Sequence, residues 1–278
     1  VEDGAEYDGR SLGGRDLAYI RGWMPVAEFF FRYYFRTRVS GLENIPRGPA
    51  IFIGNHSGGL STPDTAMTTY VFWSQCGPER PVYALIDEAM FGFEPLAKHL
   101  TRVGGIAATP RMAQRALASG ASLLIYPGAG DEAYRSYADR NIVALHGRSA
   151  YLRLAIRHHV PVVPVVCLGG HETLIVLDDG RGLADALGLD RLGIDRLPLT
   201  YSWPHGLAYG VRHSLPFPAR IDIAFCPPIS LDGFSPASAR DPAMLELCHE
   251  HVQAQMQRAL DRLVAARDIE AAAAAEAR

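Results

Sequence analysis

Residues 50–64 read Ala50-Ile51-Phe52-Ile53-Gly54-Asn55-His56-Ser57-Gly58-Gly59-Leu60-Ser61-Thr62-Pro63-Asp64. The first five form a continuous apolar run, the pattern of a strand buried on both faces. Thr62-Pro63-Asp64 is a helix start. Ser61 or Thr62 supplies the cap, the proline suits the first turn, and the acid meets the positive end of the helix dipole. Between strand and helix lies a glycine-rich loop that carries a histidine. In open α/β sheets such loops stand at the carboxyl ends of strands, where ligands bind. His56 is therefore a candidate general base. Asp64 is its candidate orienter, because a carboxylate on one ring nitrogen fixes the tautomer and stabilises the imidazolium.

The same alternation continues along the chain. Apolar runs predict strands over 50–54, 82–86, 122–126, 161–167 and 221–226. Amphipathic stretches predict helices over 63–75, 92–101, 110–119, 147–158 and 242–267. The expected fold is α/β, with a mostly parallel central sheet flanked by helices. Residues 178–220 are less regular, rich in Gly, Pro and Leu, and are expected to form a long insertion or lid. Within them, Trp203-Pro204-His205-Gly206 is aromatic and turn-forming. The alanine-rich residues 268–278 are expected to be a fraying tail.

The N-terminal part differs. Residues 1–14 are polar and glycine-rich, a flexible lead-in by composition. Residues 16–38 crowd Tyr19, Trp23, Phe29, Phe30, Phe31, Tyr33, Tyr34 and Phe35 among Arg21, Arg32, Arg36 and Arg38. Pro25 suits the first turn of a helix running to about Arg36. Aromatics interleaved with arginines are expected to form a helix lying in a membrane interface, because three consecutive phenylalanines cannot all face one core; the other reading is a helix packed on the domain with its aromatics in the core. This divides the chain into an interfacial segment (1–38), a main domain (39–267) and a tail (268–278).

Composition narrows the function classes. A net charge of −3 gives no electrostatic case for nucleic acid. Cys76, Cys167, Cys226 and Cys248 show no metal-ligand or CxxC spacing and read as reduced thiols. No apolar run reaches the roughly 18–20 residues of a membrane span. The acidic start lacks the apolar core of a signal peptide. His158-His159 and His171-Glu172 do not make a metal site, since the second lacks the further histidine of His-Glu-x-x-His. No nucleophile elbow, phosphate-binding Gly-Lys loop or dinucleotide fingerprint is present.

A second loop follows a second buried strand: Leu124-Ile125-Tyr126-Pro127-Gly128-Ala129-Gly130-Asp131-Glu132. Gly128, Ala129 and Gly130 allow close backbone approach, and their N–H groups are candidate donors to an oxyanion. Val160-Pro161-Val162-Val163-Pro164-Val165-Val166 is a third apolar element.

In this order the chain resembles the glycerolipid acyltransferases, the family that includes bacterial lysophosphatidic acid acyltransferases. Asn55-His56 with Asp64 resembles its first block, Arg102-Val103-Gly104-Gly105-Ile106 its second, Tyr126-Pro127-Gly128 its third, and Val160–Val166 its fourth. The resemblance covers about residues 39–230. Two departures stand out. Seven residues separate His56 from Asp64 where the family has four, with Ser61 at the usual aspartate position. Gly128 stands where the family's Pro-Glu-Gly has glutamate. Both resemble the subgroup with Asn-His-Ser-Gly-Gly and Tyr-Pro-Gly-Gly motifs, similar to diacylglycerol acyltransferases and plant phytyl ester synthases. There a glutamate follows, as Glu132 does here, and Arg148 resembles a downstream arginine.

The resemblance implies acyl transfer from acyl-CoA or acyl-carrier protein to a lipid hydroxyl, with no cofactor and no covalent enzyme intermediate. It also implies a peripheral position on the cytoplasmic face of a membrane. Asn55, Ser57, Gly58, Gly59, Gly128, Ala129, Gly130 and Glu132 are then expected around the substrate. Arg102, Arg111, Arg135 and Arg148 are candidates for phosphate, on the acceptor or on coenzyme A.

Overall fold

The structure is a computed structural model that describes residues 7–235 and 238–277. Its centre is strand β2 (Ile51–Gly54), every residue of which is buried. The other strands of the main sheet are β1 (Arg38–Ser40), β3 (Val82–Ile86), β4 (Gly105–Ala107), β5 (Ser122–Ile125), β6 (Val162–Leu168) and β10 (Asp222–Phe225). They lie in the order β1-β10-β6-β2-β5-β3-β4. Strands β6, β2, β5, β3 and β4 run parallel, and β10 joins β6 antiparallel while pairing parallel with β1. The five expected strands and the mostly parallel sheet are present. The carboxyl ends of β2, β5, β3, β4 and β6 share one edge, which gathers the loops they feed.

Helices cover both faces. Helix α2 (Pro63–Cys76) leaves the β2 loop, and α3 (Glu94–Val103) leads into β4. Helix α4 (Pro110–Ala118) is capped by Thr109, whose side chain accepts from Met112 N–H. A one-turn helix α5 (Ala129–Ala133) follows β5, and α6 (Ala150–His158) precedes β6. One core layer joins Ile51, Ile53, Leu123 and Val162 to Ala116, Leu152 and Met256 from the helices. The other joins Phe52, Leu124 and Val163 to Phe72 and Phe225. Alternate side chains of β2 thus feed opposite layers, which is why its whole run is apolar.

The N-terminal segment is built into the domain instead of standing apart. Gly9 O accepts from Ala107 N–H at 2.9 Å, and Leu12 O accepts from Tyr83 Oη at 3.1 Å, so residues 7–14 lie along the sheet's β4 edge. Residues 1–6 of the expected lead-in lie outside the described residues. Helix α1 (Leu17–Phe29) begins eight residues before Pro25, which therefore sits inside it and not in its first turn. The cap is Asp16, whose side chain accepts from Tyr19 N–H. A π-helical turn (Phe30–Tyr34) continues it, and Phe35 is buried beside β10. Ile20, Ala27 and Phe31 pack towards Tyr70 and Trp73, whereas Trp23, Val26, Phe29 and Tyr33 face outward. The boundary expected at 38/39 is therefore no break in packing. No described helix is long and apolar enough to cross a membrane.

The region 178–220 is more ordered than its composition implies. Strands β7 (Ile175–Asp178), β8 (Leu199–Ser202) and β9 (Gly206–Tyr209) form a separate antiparallel sheet, with α7 (Arg181–Ala186) between the first two. The expected tail is helix: α8 runs from Pro242 to Glu276. Arg267 on α8 pairs with Glu172 at 2.8 Å and with Asp222 at 2.5 Å, and Glu270 pairs with Arg38 at 2.7 Å and Arg220 at 2.5 Å. The four cysteines are free thiols.

Candidate active site

The loop after β2 brings its histidine and aspartate together despite their long separation. His56 Nδ1 lies 3.0 Å from Asp64 Oδ2. The intervening residues are taken up by a 3₁₀ turn (Gly59–Ser61) flanked by left-handed backbone at Gly58, Gly59 and Thr62, with φ of 77°, 60° and 37°. A Cβ at Gly58 would lie 2.5 Å from Pro63 Cδ, and one at Gly59 would lie 2.6 Å from a Leu174 methyl. Only glycine fits both the φ and the space. Ser61, at the position the commoner spacing would give to aspartate, donates instead to Ser214 O at 2.7 Å.

Asp64 is fully buried and is fixed by more than the histidine. Oδ2 also accepts from Ser57 N–H at 2.6 Å and Ser57 Oγ at 3.1 Å. Oδ1 accepts from Thr65 N–H at 2.6 Å and Thr65 Oγ1 at 3.2 Å. A carboxylate so held requires Nδ1 of His56 to carry the proton, which leaves the Nε2 lone pair as the base. Nε2 makes no hydrogen bond among the described residues, and the His56 side chain keeps 15% exposure. Burial pulls the His56 pKa down, but the charge and hydrogen bond of Asp64, with the charge of Glu132, outweigh it and leave it raised above 6.5.

Glu132, on α5, is a second buried carboxyl under the loop. Its Oε2 accepts from His56 N–H at 2.9 Å and its Oε1 from Ala144 N–H at 3.3 Å. Arg135 approaches Oε1 at 3.7 Å and also donates to Ile142 O. Burial nevertheless pushes the Glu132 pKa up to about 7. Asn55 clamps the loop from the other side: its Oδ1 accepts from Cys167 N–H at 2.7 Å and its Nδ2 donates to Cys167 O at 2.9 Å. The polar side-chain atoms of Asn55, Ser57 and Glu132 are thus engaged by protein groups: Cys167 for Asn55, Asp64 for Ser57, and the His56 and Ala144 N–H groups for Glu132.

The third-block loop lies beside this pair. Ala129 N–H is used by Tyr126 O at 3.1 Å, which removes it as an oxyanion donor. The N–H groups of Gly128 and Gly130 make no hydrogen bond among the described residues. Arg148 donates to Pro127 O and Gly128 O, both at 2.8 Å, and pairs with Asp131. Asp131 also meets Arg181 and Arg196, so this cluster fixes the loop from three sides.

The expected phosphate ligands do not converge. Arg102 precedes β4, at the amino edge of the parallel strands, whereas His56 follows β2 at the carboxyl edge. Arg102 is bound by Asp16 at 2.7 Å and stacks on Tyr19 at 3.9 Å. Arg135 and Arg148 serve Glu132 and the loop. Arg111, in the first turn of α4, is exposed at the carboxyl edge.

Two neighbours of His56 have no site role in the sequence reading. The Tyr126 ring lies 4.8 Å from the His56 ring. It fits because Gly54 on the adjoining strand has no side chain: a Cβ there would come within 2.3 Å of the tyrosine ring. Gly54→Ala is therefore expected to displace Tyr126 and with it the imidazole, lowering kcat about 10- to 100-fold with little change in KM, as steady-state kinetics would show. The other neighbour is His171, buried in the turn after β6, with its Nδ1 unpartnered among the described residues. Burial, with help from the Arg135 charge, pulls its pKa down to about 4. It was read only as a poor metal motif. The signal for it is Gly170, which packs directly on Ser57.

Residues 36–168 match the Acyltransferase family model. Uncharacterized proteins of Mycobacterium tuberculosis and Mycobacterium bovis are 30% identical over 244 residues, 87% of this chain. The chain spans 66% of the length of these relatives. A Mycobacterium leprae protein is 27% identical over 87% of this chain and 64% of its own length. The crystal structure of the 1-acyl-sn-glycerophosphate acyltransferase PlsC from Thermotoga maritima shares the fold, with a TM-score of 0.53 over 90% of this chain and 84% of that one at 19% identity. The segment from residue 36 to 168, which matches the Acyltransferase family model, holds the His56–Asp64 pair and the Gly128 loop.

Proposed function

We propose that the protein is a membrane-associated O-acyltransferase that moves a fatty acyl group from a thioester, acyl-CoA or acyl-carrier protein, to a glycerolipid hydroxyl. The reading rests on the His56–Asp64 contact at 3.0 Å with Nε2 left free. The acceptor O–H gives its proton to Nε2 as its oxygen bonds to the thioester carbonyl carbon. The Gly128 and Gly130 N–H groups face the oxyanion of the tetrahedral intermediate. The C–S bond then breaks, the thiolate leaves, and the imidazolium returns the proton to sulfur. No nucleophilic side chain is needed.

A lysophospholipid is the acceptor by the family's common chemistry. A neutral acceptor such as diacylglycerol or another alcohol is the second reading. It is favoured by Gly128 in place of a glutamate and by the engagement of Arg102, Arg135 and Arg148 with protein groups. The test is release of free thiol from acyl-CoA or acyl-carrier protein, with each acceptor class offered separately in mixed micelles. Release that needs a lysophospholipid supports the first reading, and release that needs a neutral alcohol supports the second. Tight lipid binding without turnover on any donor or acceptor identifies a non-catalytic lipid-binding protein and overturns both.

A further inference from the structure

The β8–β9 hairpin of the small antiparallel sheet is built inside out. The register pairs Leu199 with Tyr209, Thr200 with Ala208 and Tyr201 with Leu207. Side chains alternate across a strand, so Tyr201, Leu207 and Tyr209 share one face, and Thr200, Ser202 and Ala208 the other. Thr200 and Ser202 are buried against the protein, while Tyr201, Leu207 and Tyr209 face outward. A one-sided sheet in water normally does the reverse. The apolar surface continues through Trp203, Val211 and Leu215, and all six of these side chains are 48–63% exposed. Single exposed apolar residues are ordinary, but a contiguous set of this kind marks an interaction surface.

Charge and position indicate what covers it. From Leu197 to Ile221 the chain has no acidic residue, and the exposed ionisable side chains among the apolar ones are His205, Arg212 and His213. Arg212 has no acidic partner among the described residues and donates only to Tyr209 O. An apolar, aromatic face that carries an arginine and no acidic residue fits an anionic lipid surface. The patch also borders the catalytic loop: Ser214 O accepts from Ser61 Oγ at 2.7 Å, and Phe217 N–H donates to Thr173 O at 2.8 Å. Pro216 O accepts from Tyr34 Oη at 2.5 Å, which ties this region to the π-helical turn after α1, near which Phe29 and Tyr33 are exposed.

We infer that the outer face of the β8–β9 hairpin, continued through Leu215, is a lipid-docking surface that seats the mouth of the site on an anionic bilayer. The contact is thus made by the second sheet as well as by the N-terminal helix. The experiment is co-sedimentation with vesicles of equal parts phosphatidylglycerol and phosphatidylcholine, and with phosphatidylcholine alone. The proteins are the wild type, Leu207→Asp/Tyr209→Asp, Trp203→Ser/Leu215→Ser and Arg212→Ala. These side chains are exposed, and circular dichroism and the melting midpoint check that each variant folds. Vesicle binding is read without turnover, so the result is independent of the acceptor chemistry proposed above.

The expected result is binding to phosphatidylglycerol vesicles that weakens about tenfold or more in both double variants. Arg212→Ala weakens it selectively on the anionic vesicles. Turnover of a water-soluble short-chain acceptor stays at the wild-type level. Equal binding by wild type and double variants overturns the inference, as does absence of wild-type binding. A change in oligomeric state with unchanged vesicle affinity assigns the face to a second copy of the chain and overturns it as well.

Discussion

His56→Ala is expected to lower kcat by about 10⁴-fold, and Asp64→Asn by about 10³-fold, with KM changing far less in both. In the mechanism proposed above, the first removes the imidazole that takes the acceptor's proton. The second leaves the base but takes away its charge partner. Asp64 accepts from His56 and Ser57 on one oxygen and from Thr65 on the other. An asparagine must point its NH₂ at one of two backbone donors, Ser57 N–H or Thr65 N–H, and on the Ser57 side it also disfavours the tautomer with Nδ1 protonated. On either side the imidazolium formed during proton transfer loses its counter-charge.

The pH profile separates this from simple unfolding. Asp64 is a main cause of the raised His56 pKa, and the base works only when neutral, so wild-type kcat/KM falls as pH drops through a value above 6.5. In Asp64→Asn the acid limb moves to lower pH. The double variant is expected to be no slower than His56→Ala alone, because the two residues act as one unit. Steady-state thiol release across pH checks all three statements. An acid limb that stays in place in Asp64→Asn would remove the orienting role.

The main sheet and the pair could be read from sequence because each rests on a local pattern. Continuous apolar runs mark β2, β3, β5, β6 and β10, since a strand covered on both faces has no polar side. Strand β4 was quoted as a motif without being seen as a strand, because Gly105-Ile106-Ala107 is short and follows another glycine. The β8–β9 hairpin escapes the pattern for a different reason: its large apolar residues face outward, so the usual alternation gives no buried face to find. Arg102 was placed by its neighbourhood in sequence, but strand direction decides which edge a residue occupies. It stands before its strand, and His56 stands after one. Asn55 and Glu132 bond to partners far along the chain, at Cys167 and Ala144, that no local pattern shows.

Glu132 carries the second large effect, this time on stability. Glu132→Ala leaves His56 N–H and Ala144 N–H without their acceptor and Arg135 without its carboxylate. Breaking a buried charge contact in this way costs about 3–5 kcal/mol, which urea denaturation measures directly. Glu132→Gln is the informative companion, since it keeps the volume and one acceptor. Burial holds the Glu132 carboxyl near 7 in the folded protein, above its ordinary 4.5. Between those values the folded state binds more protons than the unfolded state, so this group's contribution to stability declines as pH rises. The limit is about 3 kcal/mol across the interval. His56 acts in the same direction: its raised pKa stabilises fully below 6.5 and the gain is lost as pH passes through the folded value. Relative to wild type, Glu132→Gln is therefore expected to gain up to about 3 kcal/mol on going from pH 5 to pH 8. The same change removes a negative charge that helps raise the His56 pKa, so the acid limb of kcat/KM moves down while the base and its aspartate stay in place. A stability difference between variant and wild type that is flat across this range would show that the buried carboxyl is ionised throughout. The site would then hold two permanent negative charges beneath His56, and the acid limb of the wild type would lie higher still.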